Sequence, residues 1–230
     1  ECVFTVQEET GCAGAAALKA DYFQARRMIG LDDVGGGTSY VTSAGSQISA
    51  LTRTCTWEAP AAPAYAMEVN GLLGGHSGVE IDKERGNAIK LGFQFLYELK
   101  KQGTVQLGEM SFGSVNNAIP NYGKAVFTCD APAETVASVL DACMQTFRRE
   151  LEFSDKDLAI TLPPAQAEQV MSKTDSQDII DFVRFLPNGL FHTSMRFPEL
   201  PTSSSNLGVL RTQDGGLYAE TCARGALMSY

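Results

Sequence analysis

Residues 82–103, DKERGNAIKLGFQFLYELKKQG, decide the fold that the sequence predicts. Asp82 is a suitable N-cap for a helix, and Gly103 is a suitable stop. Between them, apolar side chains recur at helical spacing: Ala88, Leu91, Phe95 and Leu99. This spacing predicts an amphipathic helix with one buried face.

Segments typical of strands lie on both sides of this helix. AYAMEVNG (64–71) precedes it, and VQLGEMSF (105–112) and KAVFTC (124–129) follow it. A second helix begins near Pro132, and LAITL (158–162) then closes the series as a strand. The order β-α-β-β-α-β predicts an α+β fold of the ferredoxin-like type, with both helices on one face of the sheet.

The C-terminal part starts the same order again. SQDIIDFVRFL (176–186) predicts a helix, and NLGVLRTQDGGLYAETCA (206–223) predicts a hairpin that turns near Asp214 and Gly215. A second helix and strand are then due beyond Tyr230. We therefore expect partial duplication of the fold and a chain that is a piece of a longer protein.

The N-terminal part predicts a short α/β unit. CVFTVQ (2–7) and RRMIGLDD (26–33) are typical of strands, and AGAAALKADYF (13–23) between them is rich in helix formers. Glu8 and Glu9 end the first strand, and acidic residues also end the second. Each acidic group taken alone is more typical of a solvated turn. Together, at one sheet edge, they predict oxygen ligands for a cation.

Composition excludes several classes of partner. The net charge of -9 and the pI near 4.7 argue against a nucleic-acid or anionic-lipid partner. No stretch approaches the ~20 apolar residues of a membrane span, and the N-terminal residues do not resemble a signal peptide. The six cysteines show no regular spacing, which favours reduced thiols and a cytoplasmic location.

Six stretches resemble, in order along the chain, the PepD-type aminoacyl-histidine dipeptidases of the aminoacylase and carnosinase superfamily of di-zinc peptidases. They are TVQEETGCAGA, IGLDDVGGGTSYVTSAG, VNGLLGGHSGVEIDKERGNAIKL, NAIP, FLPNG and SSNLGVL. The resemblance covers nearly the whole chain and implies an α/β zinc domain interrupted by a lid that forms a homodimer. On this mapping residues 1–48 belong to the catalytic domain and residues 49–230 to the lid, which is incomplete at its C-terminal end.

The resemblance also implies roles for the acidic residues. Glu8 corresponds to the general base, and Glu9 and Asp32 correspond to zinc ligands. Two zinc ions polarise the peptide carbonyl and lower the pKa of the bridging water to about 7, and a carboxylate takes the proton. The other ligands of the family lie outside these 230 residues, so we expect the chain alone to be inactive.

Three lid residues complete the implied site. The resemblance implies that His76 stabilises the oxyanion in the partner subunit's site, that Asn117 faces the substrate and that Arg224 binds the substrate carboxylate. From the residues alone, a glycine-flanked turn, a loop amide and a solvated strand-end charge remain open for these positions. His192 matches no motif and is predicted to be structural.

Three functions follow from these observations. The first is a zinc-dependent dipeptidase that hydrolyses short peptides of the Xaa-His type. The second is a non-catalytic lid and dimerisation module. The third is a ferredoxin-like domain that binds a small molecule without hydrolysing it.

Overall fold

The computed structural model describes residues 2–8, 12–19, 21–30 and 43–227. The chain divides into two compact units, Glu1–Thr42 and Ser43–Tyr230. The predicted domain boundary after residue 48 stays a prediction.

The first unit contains little regular structure in its described residues. Helix α1 (Ala13–Ala16) is a single turn, and residues 2–8 and 21–30 form no strand. The strand predicted over residues 2–7 is therefore wrong, as is the described part of the strand predicted over residues 26–33. A strand is stable only when neighbouring backbone satisfies its hydrogen bonds, and no described strand pairs with these segments.

The second unit is built on one large antiparallel sheet. In chain order its strands are β1 (Gly45–Thr54), β2 (Trp57–Glu58), β3 (Ala64–Asn70), β4 (Gly75–His76), β5 (Val105–Phe112), β6 (Ala118–Ile119), β7 (Gly123–Cys129), β8 (Ala159–Thr161), β9 (Pro164–Ala165), β10 (Val170–Met171), β11 (Gly189–Thr193), β12 (Pro201–Gln213) and β13 (Gly216–Gly225). Nine strands of residues 43–227 form this sheet, in the order β1-β13-β12-β5-β7-β3-β8, with β11 beside β12 and β9 beside β3. Strands β2 and β10 form one separate pair, and β4 and β6 form another.

Helices cover one face of this sheet. They are α2 (Ala88–Leu99), α3 (Ala133–Glu150) and α4 (Lys173–Phe185). Helix α2 packs against β3, β5 and β7, while α3 packs against α2 and β8. The strand order β8-β3-β7-β5 with two helices on one side confirms the predicted ferredoxin-like β-α-β-β-α-β arrangement.

The helix and hairpin predicted near the C-terminus are also present. The turn between β12 and β13 falls at Asp214 and Gly215, whose φ angles of 50° and 75° are those of a tight hairpin turn. Strand β12 pairs with β5, and α4 packs against α2 and β5. The hairpin therefore extends the first sheet, and α4 joins the helices that pack on it. Strand β1, which the sequence did not reveal, pairs with β13 along its whole length.

The start of α2 differs from the prediction. Asn87 is the N-cap, and its Oδ1 accepts hydrogen bonds from the backbone N–H groups of Ile89 at 3.0 Å and Lys90 at 3.3 Å. The predicted cap, Asp82, lies instead in a 3-10 turn (Ile81–Lys83). Glu84 ends that turn with a φ of 49°, so the chain leaves helical geometry before α2 begins.

Candidate functional site

Strand β4 carries the glycine-flanked histidine. Gly75 pairs with Ile119 and His76 pairs with Ala118 of β6. The backbone N–H of Ser77 donates to the carbonyl oxygen of Asn117 at 2.8 Å. The GGHSG and NAIP motifs therefore lie side by side, although 38 residues of sequence separate them.

The His76 ring has a defined tautomer. The backbone N–H of Gly78 donates to His76 Nδ1 at 3.1 Å. Because Nδ1 accepts this bond, the neutral ring carries its proton on Nε2. The side chain is exposed, so Nε2–H can donate to a bound molecule.

Arg224 of β13 lies beside this ring. A Cβ placed on Gly78 would be 2.9 Å from His76 Cε1 and 2.9 Å from Arg224 Cζ, so the ends of both side chains approach the same glycine. Within the described residues no carboxylate pairs with Arg224, and its buried Nε has no hydrogen-bond partner. An unpaired guanidinium of this kind can bind a carboxylate through two parallel hydrogen bonds.

Side chains of the β12–β13 hairpin hold the loop that carries Asn117. Asn206 Nδ2 donates to the carbonyl oxygens of Asn116 at 2.9 Å and Ala118 at 2.8 Å. Asn116 Nδ2 donates to Glu220 Oε2 at 2.8 Å. The half-buried side chain of Asn117 makes no hydrogen bond to another described residue, so its amide remains available on the same surface.

Glu80 organises the turn after His76, and sequence reasoning did not identify it. Its carboxylate accepts the backbone N–H of His76 at 3.0 Å and binds Lys83 at 3.0 Å and Arg85 at 2.9 Å. The hydrogen bond from Lys83 and the one from the His76 N–H lower the pKa of Glu80 to about 2. In the sequence, the positions of Lys83 and Arg85 shortly after Glu80 in GVEIDKER could have indicated these ion pairs.

The other motifs of the resemblance form a structural network. Asn87 Nδ2 donates to the carbonyl oxygen of Leu207 at 3.0 Å and to Asn188 Oδ1 at 3.3 Å, and Leu207 N–H donates to Asn188 Oδ1 at 2.8 Å. GNAIK, LPNG and NLG therefore tie the start of α2 to β11 and β12. These motifs belong to the resemblance, but their described contacts hold the fold together.

The predicted acidic site is only partly within the described residues. Glu8 is exposed, and its Oε1 lies 3.9 Å from the Sγ of Cys12, whereas Glu9 and Asp32 lie outside the described residues. In the described part of the chain no three or more His, Cys, Asp and Glu side chains are grouped to hold a metal ion. The Nδ1 of His192 lies 2.6 Å from Ser203 Oγ, and its structural role stays a prediction.

None of the described helices is long and apolar enough to cross a membrane.

The fold resembles that of one class of known proteins. Residues 67–154 match the family model M20_dimer, described as a peptidase dimerisation domain. This span runs from within β3 to just beyond α3 and so covers most of the ferredoxin-like core. This part of the chain is therefore similar to the peptidase dimerisation domains of that family.

Two relatives extend the comparison to the rest of the chain. The chain is 28% identical to the cytosol non-specific dipeptidase of Escherichia coli over 237 residues, which covers 100% of this chain and 48% of the relative. The crystal structure of aminoacylhistidine dipeptidase from Vibrio alginolyticus matches with a TM-score of 0.83 at 29% identity, over 98% of this chain and 47% of that chain. The chain is thus similar to both dipeptidases over nearly its whole length, and it spans about half the length of each relative.

Proposed function

We propose that the chain is part of a zinc-dependent dipeptidase that hydrolyses dipeptides of the Xaa-His type as a cytoplasmic homodimer. The observation that carries this proposal is the unpaired Arg224 guanidinium beside the His76 ring, on a domain of the M20 dimerisation type. The names of the two relatives support the dipeptide substrate, and that of the Escherichia coli relative supports the location.

Arg224 and Asn117 bind the substrate in this proposal. A dipeptide has a free carboxylate next to its scissile bond, and a single guanidinium can hold that carboxylate in one orientation. The Asn117 amide, on the neighbouring loop, hydrogen-bonds the polar groups of the substrate. Both residues therefore determine affinity and orientation more than the bond-breaking step.

His76 acts on the developing charge. Its Nε2–H donates to the oxygen that becomes negative when water attacks the peptide carbonyl, and such a donor is most effective when its geometry is fixed in advance. His76 belongs to the proposed lid (49–230), whereas Glu8 belongs to the proposed catalytic segment (1–48). We propose that His76 serves the partner subunit's catalytic segment.

Glu8, Glu9 and Asp32 carry the hydrolytic half of the proposal. Zinc bound by Glu9, Asp32 and ligands from the rest of the protein would polarise the carbonyl and acidify a water molecule. Glu8, which is not a ligand, takes the proton from that water. These three assignments rest on the resemblance of the EETG and LDD segments.

The test is a His76→Ala variant of the full-length protein. We expect kcat to fall about 100- to 1000-fold with little change in KM, because one oxyanion donor is lost. Zinc content and dimerisation should be unchanged. His192→Ala is the matched control, and it should retain normal turnover.

Mixed dimers test the role in the partner subunit. A heterodimer of His76→Ala and Glu8→Gln subunits has one site with an intact base and an intact histidine, so activity should partly return. If verified heterodimers show no recovery, His76 does not act on the partner subunit's site. Unchanged turnover in His76→Ala itself would reject the catalytic role altogether.

A further inference from the structure

A buried carboxylate holds both ends of the loop that carries His76. Asp155 Oδ1 accepts the backbone N–H of Leu73 at 2.7 Å, and Oδ2 accepts the backbone N–H of Gly86 at 2.7 Å. Leu73 and Gly86 are the first and last residues of the segment 73–86, which we call the histidine loop. One side chain thus closes this loop at its base.

Asp155 is itself rigidly placed. It is 3% exposed, and it lies in the turn between α3 and β8, where its backbone N–H donates to the carbonyl oxygen of Leu151 at 3.0 Å. Ser154 Oγ donates to Oδ2 at 2.8 Å. Within the described residues no cation pairs with Asp155, so N–H and O–H donors satisfy this buried charge.

The contacts continue from the base of the histidine loop to the ring. Arg85, next to Gly86, donates to the carbonyl oxygen of Gly74, which is next to Leu73. Arg85 also binds Glu80, and Glu80 accepts the backbone N–H of His76. The position of the His76 backbone therefore depends on a continuous set of contacts that begins at Asp155.

We propose that Asp155 is a positioning residue for His76. The two carboxylate oxygens of Asp155 set where the histidine ring lies. This inference rests on the proposed function, because it requires His76 to act in hydrolysis. A polar donor contributes fully to catalysis only when it is held in place, and a displacement of about 1 Å can cost about 100-fold in rate.

The experiment compares Asp155→Asn with Asp157→Asn in the full-length enzyme. Asparagine has the same shape but offers one acceptor oxygen in place of two, so either Leu73 or Gly86 loses its partner. We expect kcat to fall about 10- to 100-fold with KM and zinc content nearly unchanged. Asp157 is exposed, so Asp157→Asn makes the same charge change and should behave as the wild type.

A double variant separates positioning from general damage to the fold. If Asp155 acts through His76, then His76→Ala combined with Asp155→Asn should have the kcat of His76→Ala alone. A further loss in the double variant would show that Asp155 affects catalysis independently of His76 and would overturn the inference. Normal kcat in folded Asp155→Asn, with His76→Ala impaired, would also overturn it.

Amide hydrogen exchange tests the two hydrogen bonds to Asp155 independently of activity. The N–H groups of Leu73 and Gly86 should exchange slowly in the wild type, and at least one should exchange faster in Asp155→Asn. If His76→Ala keeps normal turnover, the proposed function fails even when this exchange result is as expected. If Asp155→Asn does not fold, Asp155→Glu decides: it keeps both acceptors but shifts them, so kcat should fall, and wild-type kcat with altered exchange would reject the inference.

Discussion

Residues 2–30 and residues 43–227 both contain motifs of the same resemblance. Only in the second region does the structure show contacts that join these motifs. In residues 43–227 the GGHSG, NAIP and NLG segments are joined by backbone pairing and by the amide of Asn206. In the described part of residues 2–30 there is one helical turn, and apolar side chains such as Phe4 and Met28 are exposed. The difference follows from the partners each region has, since strands require neighbours and helices require a face to cover.

The largest expected effect is on the activity and zinc binding of the 230-residue chain studied alone. We expect the 230-residue chain to show no peptide hydrolysis and only weak zinc binding, because two carboxylate ligands leave a cation mostly hydrated. Calorimetry with zinc would measure this. Tight binding at two sites would mean that the first region assembles a metal centre with the ligands of this chain alone.

Glu8→Gln in the full-length protein tests the first region next. An amide cannot accept the proton from water, so kcat should fall by about 100- to 10,000-fold. Bound zinc should be retained, because Glu8 is assigned as the base. Glu9→Gln is the contrasting variant and should lose metal, and normal turnover in Glu8→Gln would remove the base assignment.

Lys90→Met tests the architecture of the second region. Lys90 Nζ donates to the carbonyl oxygens of Val183 at 2.7 Å, Arg184 at 2.9 Å and Leu186 at 2.8 Å, at the end of α4. Methionine keeps the apolar stem but leaves these carbonyls without their donor. We expect the free energy of unfolding of the chain to fall by about 1–3 kcal/mol in urea titrations.

The control for this variant is Lys156→Met, at an exposed position. It should change the free energy of unfolding by no more than about 0.5 kcal/mol. Equal effects at Lys90 and Lys156 would contradict the assigned contact between α2 and α4.

Periodicity predicted the parts of the fold whose buried faces are local. The helical stripe that includes Leu91 and Phe95, and the alternation that includes Met67 and Val69, correspond to α2 and β3 with these side chains buried. Strand β1 was not predicted, because it is an edge strand with little buried surface and therefore little alternation. The strand predicted over residues 2–7 has that alternation, but no strand among the described residues pairs with it.

The candidate site was predictable as a set of residues and not as an arrangement. The resemblance identified His76, Asn117 and Arg224. The pairing of β4 with β6 then places His76 beside Ala118, and a tertiary contact places Arg224 beside Gly78. Asp155 carries no motif, since its function depends on reaching two backbone N–H groups that are far from it in sequence. Contacts of a side chain with distant backbone leave no periodic pattern.

The smallest expected effect concerns Glu80 and distinguishes an ordered histidine loop from a simple solvated turn. Lys83, the His76 N–H and Arg85 hold the pKa of Glu80 at about 2 instead of its usual 4.5. Because the folded-state pKa is the lower one, the stabilisation by ionised Glu80 is complete above pH 4.5 and is lost as the pH falls towards 2.

The chemical shift of the His76 backbone amide reports this titration directly. Between pH 6 and pH 4 the difference between the wild-type shift and the Glu80→Gln shift should stay constant, because Glu80 remains ionised, whereas a glutamate of ordinary pKa would titrate there. Glu80→Gln should shift the amide at all pH values and remove any titration below pH 4. A midpoint near 4.5 in the wild type would show that Glu80 does not hold the histidine loop, and the ordered geometry of His76 would then depend on Asp155 and the pairing of β4 with β6 alone.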